Sequence, residues 1–471
     1  MAAVNLDTST ISVLSKEISN RTISPVEIVE ATLQRIEQLQ PILLSFTTPT
    51  PEYAIERALK AEKEISQGKY RGPLHGIPYT LKDVIATKGI RTTFGNPKGT
   101  DYKPTEDATL HTLLEQAGAI LVGKVVSEIG RDNTGPVGCR NAWDPTMSPG
   151  TSSSGSGSAT AASMGLLSIG TDTGGSVRHP GSNSNLVAMR ATFGRISRFG
   201  VFHSSWSHDQ AGPLTKTVSD NAIALSVLGK YDPMDPISIP EPPCDYLENL
   251  GNSIKGVRIG VPKDDWVWKD WLSEEEESVV RAAIEVLKEL GASIKEIDLP
   301  LGGRSRNEGM ATSAEAPVYI YDHFSQEQID DWPEMKPRAD EGMNQPAEDY
   351  IRAQYLRARI RQEAIAALNE VDVIAMPTGS TFGDKWDAST SIIRGREVSA
   401  RSRAVYRNGF ASVTGTPAVS IPCGFGLNDT FPIGLMLQGR PMEETLLYQV
   451  GYAYEQTTEW HLRHPNLPVG A

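Results

Sequence analysis

The chain has 471 residues, 39% apolar and 22% charged, and its 45 lysines and arginines against 58 acidic residues leave a net charge of −13. A field of that sign repels phosphate backbones and anionic lipid, which argues against nucleic-acid and membrane-surface roles. No apolar run reaches bilayer-spanning length, the N-terminus lacks the basic and apolar regions of a secretory leader, and Cys139, Cys244 and Cys423 are spaced for neither a disulfide framework nor zinc, so a cytoplasmic globular protein is expected. From the N-terminus, residues 7–40 read as two helices, the second opened by Ser24-Pro25 with Ile28, Val29, Leu33 and Ile36 on one face. Residues 51–66 repeat the pattern through Ala54, Ala58, Ala61 and Ile65. Thr109 opens a short helix that Gly118 closes, and residues 119–123 follow as a buried strand. Ser273 and Glu276 form a capping box for a helix ending at Gly291, after which Ile294, Ile297 and Leu299 alternate as a strand. Short apolar strands are expected at 371–377, 418–422 and 433–437, and a last helix from about 443 to 460.

This alternation predicts an α/β fold, a mixed twisted β-sheet covered by helices on both faces. Length alone allows about three domains, yet no long linker interrupts the chain, and one large domain can absorb it. Its parts would be an N-terminal helical segment near 1–68, a core near 69–230, a polar, aromatic-bearing helical cap inserted near 302–350, and C-terminal strands and helix near 371–471. The insertion reads either as a lid over the sheet or as a surface excursion without a role.

The most unusual text lies at 148–178, rich in serine and glycine. Such composition suits a flexible linker, but Ala159–Leu167 reads as a small-residue helix running into an apolar strand, so ordered structure is expected around it. A dinucleotide or P-loop site does not fit: Thr160 stands at the third glycine position and no Gly-Lys-Ser/Thr occurs. The G-x-S-x-G elbow does not fit either, and none of the eight histidines has an obvious partner. A serine–lysine arrangement remains. Lysine serves as base only where desolvation lowers its pKa, so it should lie in an apolar strand. Lys82, among Ile77, Tyr79, Leu81, Val84 and Ile85, meets that condition.

The pieces GPLHGIPYTLKD (72–83), DATLHTLLEQAGAILVGK (107–124), SPGTSSSGSGS (148–158), GTDTGGSVR (170–178), FGRISRFGVF with DQAGPLTKTVSD (193–220), and GTPAVSIPCGF with PIGLMLQGRP (415–441) occur in this order. Together they make the chain resemble the amidase signature family of serine hydrolases over nearly its whole length. The resemblance implies an acyl-forming nucleophile at Ser176, a bridging serine at Ser152 and a base at Lys82. It also implies an oxyanion hole from the amides of Thr173, Gly174, Gly175 and Ser176, with Ser153, Asp172 and Arg178 as supports. Departures from the family pattern are Thr151, where a glycine joined to the bridging serine by a cis peptide is usual, Ser154 in place of a glycine, and the polar run 180–192 after the nucleophile. The implied activity is hydrolysis of a carboxamide C–N bond in a small molecule, with aryl amides, carbamates and esters open as substrates. The alternatives are the glutamine-hydrolysing subunit of a tRNA-dependent amidotransferase and a non-catalytic ligand-binding member. The chemistry requires no metal or cofactor, and the family admits a homodimer. Specificity is expected from residues 130–136, the 302–350 insertion and residues 379–395, whose Tyr319, Tyr321, Phe324, Phe382 and Trp386 suggest room for an apolar or aryl acyl group.

Overall fold

The computed structural model describes residues 4–95, 101–128, 138–305, 312–330, 336–379, 382–400 and 406–468. The strands in chain order are β1 (Phe46–Pro49), β2 (Pro78–Lys82), β3 (Ile120–Val125), β4 (Leu167–Asp172), β5 (Val187–Arg190), β6 (Gln210–Thr215), β7 (Arg258–Pro262), β8 (Ser293–Ile297), β9 (Val373–Pro377), β10 (Thr390–Ile393), β11 (Arg396–Ser399), β12 (Ala418–Gly426) and β13 (Phe431–Gln438). Among the described residues, eleven of them form one mixed sheet in the order β1-β3-β2-β4-β6-β5-β12-β13-β9-β7-β8, while β10 and β11 form a separate hairpin. The central strands read as continuous apolar runs because helices cover both faces; β2, β3, β4, β5, β9, β12 and β13 are buried at every residue.

Helix starts follow the caps read from the sequence. Ser24 and Glu27 close a capping box at the head of Pro25–Leu43, and Ser273 with Glu276 does the same for Glu274–Glu289. The 302–350 insertion supplies the helices Thr312–His323, Gln326–Asp330 and Lys336–Met343, followed by the long Ala347–Glu370. None of the described helices is long and apolar enough to cross a membrane.

One helix lies elsewhere than expected. The small-residue helix runs over Ser154–Ala161, not Ala159–Leu167, so the serine-glycine text is itself the helix, buried at every residue. Close approach explains this: a Cβ on Gly155 would come within 2.4 Å of the Val126 amide nitrogen, and one on Gly157 within 2.8 Å of Ser184 Oγ. Larger side chains could not bring this helix down onto the sheet. The polar run 180–192 is likewise interior, divided between the helix Arg178–Asn183 and β5, all of it buried.

The sheet also sets the geometry of the site. β2 and β4 run parallel and adjacent, pairing Tyr79 with Leu167 and Leu81 with Ile169. Their carboxyl ends therefore open at the same edge, the usual place for a site in a parallel α/β sheet.

Candidate active site

Lys82 is the last residue of β2 and is wholly buried. Its Nζ lies 2.7 Å from Ser152 Oγ and 2.7 Å from Thr171 Oγ1 at the end of the neighbouring β4. Burial pushes the ammonium down from 10.5 to about 7, against the partial opposition of Asp209, Asp172 and Glu128. At neutral pH such an amine is available in its neutral form as a proton acceptor.

Ser152 precedes the buried Ser154–Ala161 helix, and the Thr151–Ser152 peptide is cis. Ser153 anchors this turn: its Oγ donates to the Thr171 carbonyl and accepts from the Thr171 amide, each at 3.2 Å. Its own amide donates to the Ser176 carbonyl at 3.3 Å, which binds the two serine-bearing segments together. The Glu128 amide donates to the Ser152 carbonyl at 3.0 Å.

The loop from β4 to Ser176 is built around Asp172. Burial alone would raise this carboxyl, but Arg178 and Arg190 hold it well below the usual carboxylate range. Arg178 binds it through two nitrogens, Nε at 3.0 Å and Nη2 at 2.9 Å, and Arg190 approaches to 3.2 Å; all three side chains are fully buried. Arg178 therefore lies in the interior, engaged with Asp172. Asp172 also accepts the Gly175 amide at 2.8 Å and the Val177 amide at 3.3 Å. The Gly175 N–H, expected at the oxyanion hole, donates to Asp172 in this structure and latches the loop there. Glycine is required there because φ is +117° and a Cβ would come within 2.2 Å of Asn408 Cβ. Ser176 itself is 8% exposed, beside the half-buried Ser152 and Thr173.

Sequence reasoning missed several residues of this assembly. Thr171 shares Lys82 with Ser152. Arg190 joins the loop to the His208 carbonyl at 2.7 Å. Asp209, whose pKa burial raises, accepts the Ser204 and Ser205 amides. Thr171 and Asp209 both lie within the motif text, but nothing local in the sequence marks their roles. A second wholly buried lysine, Lys124 on β3, satisfies the apolar-strand condition equally well. Its Nζ, however, meets the Ile85 carbonyl at 2.6 Å, Thr92 Oγ1 at 2.8 Å and Asp83 at 3.6 Å, away from Ser152.

The aromatic residues assigned to specificity separate. Phe382 packs edge-on against Phe431, Arg140 lies over the Trp386 ring, and Tyr321 reaches Asp340 at 3.4 Å, so these three are engaged in packing and surface contacts. Tyr319 and Phe324 instead join Phe94, Tyr102 and Trp206 around a cavity of about 400 Å³. Residues 130–136 lie outside the described residues. Asp107, His111 and Glu115 have ligand atoms within 4.8 Å of one another, yet each is engaged: Asp107 by the Lys88 amide, His111 by the Tyr79 hydroxyl, and Glu115 by Tyr53 and Arg57.

A family model described as Amidase matches residues 27–448. The chain is 34% identical over 492 residues to the glutamyl-tRNA(Gln) amidotransferase A subunit of Geobacter sp. (strain M21), covering 96% of this chain and 98% of that one. It is likewise 34% identical over 480 residues to the same amidotransferase's A subunit from Chloroflexus aurantiacus (strain ATCC 29366 / DSM 635 / J-10-fl), covering 95% and 96%. Among solved structures it is similar to a chain of a vestigial protein complex that bears on the origins of an s-triazine catabolic enzyme, with TM-score 0.88 and 28% identity over 95% of this chain and 98% of that one. The peptide amidase of Stenotrophomonas maltophilia superposes with TM-score 0.80 and 25% identity over 98% and 99%.

Proposed function

The chain belongs to the Amidase family, and from that premise we propose that it cleaves a carboxamide C–N bond through an acyl-enzyme on Ser176, with Ser152 and Lys82 as the proton relay. The observation that carries this reading is the 2.7 Å contact between a fully buried lysine and the Ser152 hydroxyl. Neutral Lys82 takes the Ser152 proton as Ser152 takes that of Ser176, whose Oγ attacks the carbonyl carbon. The negative oxygen that forms faces the amides of Thr173, Gly174 and Ser176, held in place by Asp172. The proton returns along the same route to the leaving nitrogen, the C–N bond breaks, and water attacks the acyl-enzyme with the relay repeated.

For the substrate, the 34% identity to amidotransferase A subunits favours the side-chain carboxamide of glutamine, with ammonia released for use by a partner protein. The likeness to a peptide amidase supports a second reading, in which the chain acts alone on other small amides. The test is ammonia release from glutamine, asparagine and peptide amides, alongside turnover of anilides, esters and carbamates, by the purified chain and its Ser176→Ala variant. Glutamine turnover supports the first reading, and turnover confined to other amides supports the second. No turnover of any member, together with failure of a fluorophosphonate to label Ser176, would return the chain to a ligand-binding role.

A further inference from the structure

The helix Gly409–Thr414 begins against the nucleophile loop, and the residue at its head, Asn408, is wholly buried. Asn408 Cβ, Cγ and Nδ2 lie 2.2, 2.6 and 2.7 Å from the point that a Cβ on Gly175 would occupy, so this side chain fills the space where any other residue at 175 would carry its own. Asn408 Nδ2 donates to the Gly379 carbonyl, just past β9, at 3.2 Å, which fixes the orientation of the amide. The Asn408 carbonyl accepts Arg178 Nη2 at 3.0 Å, the same nitrogen that binds Asp172 at 2.9 Å. One turn on, Ser412 Oγ lies 3.1 Å from that nitrogen and 3.4 Å from Asp172 Oδ1.

The backbone that carries Asn408 is braced on both sides. The buried guanidinium of Arg407 donates to the carbonyls of Val267 at 2.6 Å, Trp271 at 3.4 Å and Asp270, and the Phe410 ring packs on Trp266 with centroids 5.6 Å apart. Asn408 therefore cannot withdraw from Gly175 without breaking these contacts. Glycine tolerates either sign of φ and has no side chain to wedge a loop in place. Gly175 is held at its own atoms only by its N–H on Asp172 at 2.8 Å and its carbonyl under the His179 amide at 2.7 Å. The wedge comes from outside the loop. We infer that Asn408 is a positioning residue for the reaction at Ser176: it packs on Gly175 and so holds the adjoining amides of Gly174 and Ser176 where the oxyanion develops. This inference rests on the proposed reaction at Ser176.

The test is phosphonylation of Ser176 by an alkyl fluorophosphonate, in which Ser176 Oγ bonds to phosphorus, the P–F bond breaks, fluoride leaves, and the serine proton passes to the relay. The phosphoryl oxygen occupies the oxyanion position, so kinact reads the donors, whereas KI reads access to the site. Removing one such donor typically costs about 10²–10³-fold; letting them drift through Asn408→Ala should lower kinact by about 10–100-fold, with KI unchanged. The midpoint of the pH–rate profile should stay at the parent value near 7, because Lys82 is untouched. In the same variant the Gly175 amide should exchange its hydrogen faster than in the parent. Thr414→Val is the control: Thr414 is buried in the same helix, bonds the Phe410 carbonyl at 3.0 Å, and should leave kinact within twofold. A folded Asn408→Ala with kinact within twofold of the parent, or a Thr414→Val that slows labelling as much, overturns the inference. Should Asn408→Ala fail to fold, Asn408→Ser decides by the same criteria. A parent protein that is not labelled at Ser176 removes the proposed reaction itself, an outcome distinct from a labelled parent whose Asn408 variants are unchanged.

Discussion

Replacing Lys82 with methionine keeps the volume of the side chain and removes the nitrogen that Ser152 and Thr171 share at 2.7 Å each. Two consequences with opposite signs follow. A positioned general base contributes about 10²–10⁴ in rate, so phosphonylation of Ser176 should slow by that factor. Stability should not fall. Holding a lysine whose folded pKa is about 7 against 10.5 in the ordinary state costs about 5 kcal/mol while the group is charged. The hydroxyls left without a donor cost about 1–3 kcal/mol each, less at half-buried Ser152, which water can reach. The pH dependence carries its own sign. Between about pH 7 and 10.5 the unfolded chain retains a proton that the folded chain has released, so parent stability rises with pH relative to the variant. The slope is about 1.4 kcal/mol per pH unit, and the penalty is fully present only below the folded pKa. Denaturant unfolding of both proteins from pH 7 to pH 9 measures the difference directly. A parent-minus-variant difference that stays flat over that range, or a variant phosphonylated within tenfold of the parent rate, would refute a buried Lys82 acting as the base.

The remaining predictions concern the loop and the other buried charges. The parent's phosphonylation rate should rise through about pH 7 to a plateau, falling tenfold per pH unit below it, because the neutral form of Lys82 is the competent one. Gly175→Ala places a Cβ within 2.2 Å of Asn408 Cβ at a φ of +117°, so the loop must move; kinact should fall by about 10²–10³-fold in stopped or quenched labelling, and a normal rate would contradict the role given to this turn. Asp172→Asn leaves Arg178 and Arg190 buried without their carboxylate and should cost about 3–5 kcal/mol in denaturant unfolding. Lys124→Met should destabilise where Lys82→Met does not, since it strands buried Asp83 while Lys82 leaves only hydroxyls; equal effects of the two would overturn that distinction.

The arrangement explains why the two arginines and the aspartate lie so deep. In the proposed reaction the loop must present several amides at one point, which weak surface contacts could not hold, and Asp172 gathers three backbone amides and two guanidiniums around a single carboxylate. Charge-assisted hydrogen bonds in a water-excluded setting would keep that loop from rearranging as charge develops in the proposed reaction.

Much of this was legible in the residues because its causes are local. Caps at Ser24 and Ser273, the glycine stop at Gly118 and the apolar runs read at 119–123 and 418–422 depend on neighbours within one turn or strand, and the α/β layering follows from their alternation. The family resemblance named Lys82, Ser152 and Ser176 together, and the structure brings Lys82 to Ser152. Tertiary structure decided what depends on residues far apart in the chain. Two lysines lie in equally apolar strands, and only the pairing of β2 beside β4 brings one of them to Thr171 and Ser152 while Lys124 faces Asp83. The helix at Ser154–Ala161 lies in the serine-glycine text itself, ahead of the expected Ala159–Leu167, because close approach to Val126 and Ser184 rewards small residues that have no strong helical tendency of their own. The tie from Ser205 to Glu315 crosses more than a hundred residues, a distance over which periodicity carries no information and only the tertiary fold can bring the two groups together.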